Sequence, residues 1–277
     1  MTISNETIIS LIVGGLLAII LPAAAIIIYK LRRKDTWVVS ALIGAGTFLV
    51  FAMVLEQLLH TVMMPVVGGN KVLYCIYGCL AAGVFEETGR FVAYKLFMKK
   101  HHTAQNAVMM GLGHGGFEAM ALIGVGLLSN ALVAVSVNAV GYDAFVQQST
   151  AGNAELAAVV EQQIETIAGT GFGTVALSLF ERLIAVTFHV CMSVIVYKST
   201  EKGRLRLFPI AILLHALLDS VAVMYQVGAI SSLITVYTAM VIMTAAVAVP
   251  TFKIIKSEKK RGETPELKNQ SNEINEK

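Results

Sequence analysis

Apolar residues are gathered along the chain in long blocks that are separated by short polar stretches. A helix needs about 20 consecutive apolar residues to cross a bilayer, and lipid leaves every backbone polar group to be satisfied within the structure. The pattern therefore predicts an all-α, polytopic bundle of transmembrane helices. Seven spans are predicted, at Ile8–Tyr29, Trp37–Leu59, Val72–Tyr94, Ala107–Leu128, Gly173–Tyr197, Leu207–Val227 and Ala229–Ile255.

The fourth block is the longest, because its apolar pattern continues to Val140. A stretch of that length could tilt, break at Ser129–Asn130 or continue outside the bilayer. The possibility of an eighth span therefore stays open.

The basic residues predict the orientation. Of the 21 Lys and Arg residues, 18 fall on one side of a seven-span bundle, whereas only Lys71 falls on the other side, and Arg90 and Arg182 lie within spans. Cytoplasmic loops carry the excess of positive charge. We therefore expect a multi-pass protein of a bacterial plasma membrane, with its N-terminus outside and its C-terminus in the cytoplasm.

The composition supports this class of protein. Apolar residues make up 56% of the chain and charged residues 14%, whereas a soluble domain has about 45–50% and 25%. We expect one membrane domain over residues 1–256, with a catalytic core at about 72–227, and a disordered cytoplasmic tail over 257–277. The sequence carries no nucleic-acid signature, and its three cysteines all lie in spans as free thiols.

The outer loop, residues 141–170, holds four acids and no base. Within it, AELAAVVEQQIETIA (154–168) has apolar residues at helical spacing. This spacing predicts an amphipathic helix that lies on the membrane or caps the bundle. A plain solvated connection is the alternative.

Ionisable residues interrupt four of the predicted spans. GVFEETGRF (83–91) places Glu86, Glu87 and Arg90 inside the third span. Charged groups at that depth are costly and tend to carry function. The other positions are His114 and Glu118 in the fourth span, His189 in the fifth, and His215 and Asp219 in the sixth.

Four of these residues are predicted at one depth. Glu86, His114, His189 and His215 each lie eight or nine residues from the cytoplasmic end of a span. At 1.5 Å per residue, all four lie roughly 12–14 Å inside the cytoplasmic boundary. The spacing therefore predicts one polar layer built from four helices.

Such a layer has the ingredients of a hydrolytic site. Imidazoles and carboxylates can ligate Zn²⁺ or another divalent ion, which lowers the pKa of bound water. Without a metal, a desolvated carboxylate can act as a general base. Glu86 and Glu87 point about 100° apart on a helix, so we expect one to face the water and the other to pair with Arg90 or to orient a neighbour.

Four segments resemble the motifs of the CAAX-protease and bacteriocin-processing superfamily of intramembrane proteases. They are EETGR (86–90), GLGHGGFE (111–118), ER followed by FH (181–189) and HALLD (215–219). The similarity is greatest to the YhfC-like intramembrane metalloproteases, with a more distant similarity to PrsW-type proteases. The resemblance implies that Glu86 or Glu87 activates water, that His114 or Glu118 belongs to the second motif, and that His215 and Asp219 belong to the third.

The predicted function is an intramembrane endopeptidase that cleaves a membrane-embedded or membrane-associated peptide. An ion- or proton-coupled transporter and a non-catalytic scaffold or immunity-type protein are the alternatives, because intramembrane acids and histidines also mark ion paths. The predicted catalytic residues are Glu86, Glu87, Arg90, His114, Glu118, His189, His215 and Asp219. The predicted ligands of a divalent metal, zinc in particular, are His114, Glu118, His189 and His215.

Overall fold

The computed structural model describes the backbone of residues 1–275 and the side chains of residues 1–258. Most of the predicted disordered tail, 257–277, therefore lies outside the described side chains, and that prediction stays open. The described backbone forms helices and no strand. The helices are α1 (Asn5–Arg32), α2 (Val39–Val67), α3 (Lys71–Leu96), α4 (Ala104–Val140), α5 (Tyr142–Thr150), α6 (Ala154–Ala168), α7 (Phe172–Ser199), α8 (Leu207–Gln226) and α9 (Leu233–Asn275).

Six helices of the described chain are long and apolar enough to cross a membrane: α1, α2, α4, α7, α8 and the part of α9 up to Glu258. Helix α3 has 26 residues, which corresponds to about 39 Å, but it is more polar because it carries Glu86, Glu87 and Arg90. The prediction of an all-α, multi-pass membrane protein is confirmed. The number of spans and the orientation of the termini stay predictions.

Helix α4 shows whether the fourth apolar block breaks at Ser129–Asn130. The chain is α-helical from Val125 to Val140, so the break considered at Ser129–Asn130 does not occur. The irregularity comes earlier, as a π-helical segment over Ala119–Gly124. Helix α2 has a similar segment over Phe48–Glu56. Such wider turns are frequent at functional sites.

The chain forms two compact units. The first comprises residues 1–25 and 116–183. Its core contains Leu11 and Ala134 together with Ile164 and Ile167 of helix α6. The amphipathic helix predicted at 154–168 is thus confirmed, and it belongs to the core of this unit rather than being a plain solvated connection.

The second unit comprises residues 26–115 and 184–277, and close contacts between helices position the site within it. A Cβ atom at Gly44 would lie 2.0 Å from the Met110 carbonyl oxygen, and one at Gly113 would lie 2.0 Å from that of Ala41. Glycine at these two positions therefore lets α2 and α4 approach backbone to backbone, as small residues do between membrane helices. This approach brings Thr47 of α2 to His114 of α4.

Helices α3 and α8 approach each other in the same way. A Cβ atom at Gly83 would lie 2.7 Å from the Ile212 carbonyl oxygen. Since Gly83 precedes Glu86 by one turn and Ile212 precedes His215 by one turn, the contact brings the acidic face of α3 to the histidine of α8.

Candidate metal centre

Glu86 lies at the centre of a cluster of imidazoles that come from three other helices. Its Oε2 atom is 2.8 Å from His114 Nε2, 3.7 Å from His189 Nδ1 and 3.9 Å from His215 Nε2. Glu86 is only 6% exposed, and all three histidines are buried. Residues that the sequence predicts at one depth are thus brought together around one carboxylate.

The neighbouring acid, Glu87, has a different environment. Its Oε1 atom accepts hydrogen bonds from Arg90 Nη1 and from His215 Nδ1, both at 2.5 Å. Arg90 is 0% exposed, and its Nη2 atom donates to His189 Nδ1 at 2.7 Å while lying 3.4 Å from Glu86 Oε2. The two adjacent glutamates therefore have different closest partners, and they point in different directions from the helix.

A threonine on helix α2 orients the ring of His114. Thr47 Oγ1 donates its proton to the Gly44 carbonyl oxygen at 2.6 Å, so it accepts from His114 Nδ1 at 2.9 Å. With its proton on Nδ1, a neutral His114 points the lone pair of Nε2 at Glu86 Oε2, 2.8 Å away. Two acceptor atoms at that distance need a proton or a metal cation between them.

The ring of His215 has the same arrangement, with Nδ1 as the hydrogen-bond donor. Because Nδ1 donates to Glu87, the Nε2 lone pair of the neutral ring is left for another partner. Nε2 lies 3.4 Å from Asp219 Oδ2, one helical turn further along α8. Metal-binding histidines usually donate from one ring nitrogen to a carboxylate and use the lone pair of the other for the metal.

The ring of His189 has the opposite arrangement, with Nδ1 as the hydrogen-bond acceptor. Its Nδ1 accepts from Arg90, so in the neutral ring the proton is on Nε2. Distance alone would favour His189 as a ligand, because Glu86, His114 and His189 each offer a ligand atom within 4.8 Å of the others. A guanidinium 2.7 Å from Nδ1 opposes a second cation at that atom, so donor chemistry favours His215 over His189.

The charges of the site favour a cation. Counted with neutral imidazoles and without the partly exposed Asp219, the site has two negative charges, on Glu86 and Glu87, and one positive charge, on Arg90, and all three side chains are buried. One negative charge is therefore left over in a medium where an uncompensated charge is costly. The buried carboxylate, the two Nε2 lone pairs and this net charge together fit a divalent metal ion.

The remaining predicted residues have described partners of their own. Glu118 Oε1 accepts a hydrogen bond from Arg182 Nη1 at 2.6 Å, and Arg182 also donates to both carboxylate oxygens of Glu181. An arginine is the expected partner of an acid at this depth. The proposed role of Glu118 as a metal ligand stays a prediction. Asp219 lies beside His215, with 32% of its side chain exposed.

Thr47 is the residue of the site that the sequence did not predict. It lies in an apolar helix where a single threonine is common, and no spacing links it to His114, which is 67 residues away. Only the close packing at Gly44 and Gly113 gives Thr47 its role.

The fold and this cluster define a multi-pass membrane protein with a buried carboxylate–histidine centre. A profile of the YhfC intramembrane metalloprotease family matches residues 17–241. A membrane protein of Bacillus subtilis (strain 168), described as "Uncharacterized membrane protein YhfC", is 31% identical over 263 residues, which cover 93% of this chain and 98% of the relative. The chain therefore belongs to the YhfC intramembrane metalloprotease family. No solved structure matches it, and the wider placement among CAAX-type and PrsW-type proteases stays a prediction.

Proposed function

We propose that the protein is an intramembrane endopeptidase that hydrolyses a membrane-embedded or membrane-associated peptide with a water molecule activated at Glu86. One observation carries the proposal: the Glu86 carboxylate lies among three imidazoles, whereas the neighbouring Glu87 is bound by Arg90 and His215. Membership of a family described as intramembrane metalloproteases supports the reaction class.

Glu86 is the proposed general base. Its Oε2 atom faces the imidazoles, and its Oε1 atom makes no hydrogen bond within the part of the chain whose side chains are described. Oε1 can therefore accept the proton of the attacking water and later deliver it to the leaving amine, which is the usual sequence for a carboxylate in general acid–base catalysis.

A divalent metal, zinc in particular, would be held by Glu86 Oε2, His114 Nε2 and His215 Nε2. Two histidines and one glutamate form one of the ligand sets of catalytic zinc sites. When bound, such an ion would lower the pKa of water and polarise the scissile carbonyl. His189 is the alternative third ligand, since the distances favour it.

Three further residues position this set. Glu87 holds His215 through Nδ1, Arg90 holds Glu87 and His189, and Thr47 holds His114. Partners of this kind fix the ring orientation and the tautomer of metal-binding histidines.

The test uses membranes from cells that express either the wild-type chain or Glu86→Gln at equal levels. Quantitative proteomics of peptide ends within membrane-embedded segments is expected to show new ends with the wild type. These ends should be absent with Glu86→Gln and kept with Glu181→Gln, which alters an intramembrane glutamate outside the cluster. The same new ends in membranes with Glu86→Gln would refute the proposal.

A further inference from the structure

A polar cavity lies where helices α3 and α7 end, on the side that the basic residues predict to be cytoplasmic. Its volume is about 460 Å³. Both helices also carry residues of the metal centre, but the cavity has its own lining. The lining residues are Tyr94, Lys95, Lys99, His102, Thr200, Glu201 and Lys202.

The charge of this basic cavity is positive. Three lysines face one acid, Glu201, whose carboxylate is already paired with two bases outside the lining. Glu201 Oε1 lies 2.5 Å from Lys198 Nζ, and Oε2 lies 3.4 Å from Arg204 Nε. The lysine charges are therefore not neutralised within the cavity.

The donors of these lysines are also available. Lys99 and Lys202 are exposed, and among the described residues their ammonium groups form no hydrogen bond or ion pair. Lys95 uses one of its three donors on the Thr200 carbonyl oxygen, at 3.0 Å. Lys30, by contrast, has its ammonium bound to two backbone carbonyls at 2.8 and 2.5 Å. The cavity thus contains lysine donors that can receive a ligand.

The other part of the lining is held by hydrogen bonds and is neutral. Thr200 Oγ1 donates to the Tyr197 carbonyl oxygen, so it accepts from His102 Nε2, at 2.6 Å. Burial lowers the pKa of His102, and this effect outweighs the opposing effect of the Glu201 carboxylate. His102 is therefore neutral near pH 7, and the positive charge of the cavity comes from the lysines alone.

Apolar surface begins directly beside this charge. Leu96 and Phe97 follow Lys95 in the chain, and they are 61% and 63% exposed. Both residues line an apolar groove of about 470 Å³ that also includes Val50 and Phe51 of helix α2. Basic and apolar surfaces thus adjoin at the end of α3, as a molecule with an anionic head and a hydrocarbon chain requires.

We propose that the basic cavity binds the phosphate of an anionic phospholipid of the cytoplasmic leaflet, with the acyl chains lying on Leu96 and Phe97. Basic pockets beside membrane helices on this side commonly bind anionic headgroups, and ammonium–phosphate hydrogen bonds are charge-assisted. The inference is independent of the proposed proteolysis.

The test is native mass spectrometry of the full chain, released from mixed micelles that contain equal amounts of phosphatidylglycerol and phosphatidylcholine. We expect the wild type to keep one phosphatidylglycerol in preference to phosphatidylcholine. The double substitution Lys99→Gln/Lys202→Gln should weaken phosphatidylglycerol binding about thirtyfold, given the typical contribution of a lysine near an anionic surface.

The matched control is Lys34→Gln/Lys100→Gln, which removes the same charge from exposed lysines outside the lining and should bind phosphatidylglycerol like the wild type. An equal loss in both double variants, or a loss in neither, would overturn the proposal. Inorganic phosphate in tenfold excess serves as a second probe. It should not displace the lipid, because it has no chain to lie on Leu96 and Phe97; displacement would overturn the assignment to a lipid.

Discussion

Two charged networks within the membrane helices combine the same residue types with different hydrogen-bond patterns. Glu86, Glu87 and Arg90 form one network, and Glu118, Glu181 and Arg182 form the other. Each combines two carboxylates with one guanidinium, and so each has the same formal charge.

The networks differ in how the arginine uses its hydrogen bonds. Arg182 donates to both of its glutamates. Arg90 donates at short distance to Glu87 and to His189, and it lies 3.4 Å from Glu86, at the far end of the hydrogen-bond range. The shortest contact of Glu86, at 2.8 Å, is instead with the imidazole of His114. Charge inside a membrane is therefore not enough to identify a site; what distinguishes this one is a carboxylate whose nearest partner is an imidazole rather than its arginine.

The largest expected effect tests this distinction directly. Glu86→Gln removes the proposed base while keeping the size of the side chain, so we expect the cleavage rate of an identified peptide to fall about 10²–10⁴-fold. Glu181→Gln should keep the rate within about twofold, because Arg182 and Glu118 remain paired. Cleavage assays in proteoliposomes would measure both rates. Similar losses in the two variants would remove the contrast between the networks.

The next effect concerns stability. Arg90→Met leaves Glu86 and Glu87 buried without their counter-charge, which typically costs about 3–5 kcal/mol. Arg182→Met should cost less, because 17% of the Arg182 side chain is exposed whereas none of Arg90 is. Thermal unfolding in detergent would compare the two variants. A larger drop in the unfolding temperature with Arg182→Met would contradict the ranking.

The smallest effect concerns a residue that carries no charge. Thr47→Val keeps the shape of the side chain but leaves His114 Nδ1 without its acceptor, so we expect the affinity for zinc to fall about 10–100-fold. Thr47→Ser keeps the hydroxyl and should bind zinc like the wild type. Competition with a zinc-binding dye measures both affinities without reference to activity. If the valine and serine variants bind equally well, Thr47 does not position the histidine.

Much of the fold was predictable because hydrophobic patterning alone determines where membrane helices form. The helix at 154–168 and the meeting of Glu86 with His114, His189 and His215 followed from periodicity and from depth. Depth along a helix does not give the direction in which a side chain points, however. The sequence therefore left open which of Glu86 and Glu87 pairs more closely with Arg90, and it did not predict the pairing of Glu118 with Arg182.

Other features depend on packing that no local pattern encodes. The irregularity of α4 lies at Ala119–Gly124 rather than at Ser129–Asn130. Likewise, Thr47 gains its role only through the backbone contact at Gly44 and Gly113.

The most direct test of the central claim is the zinc content of the purified chain after equilibration with zinc and removal of the free ion. We predict about one zinc ion per chain for the wild type and for Glu181→Gln, and less than about one tenth of that for His114→Gln and His215→Gln, since each removes a ligand. Measuring His189→Gln in the same series decides between the two candidates for the third ligand. A wild-type chain without zinc, or full zinc content in both the His114 and the His215 variants, would contradict the account.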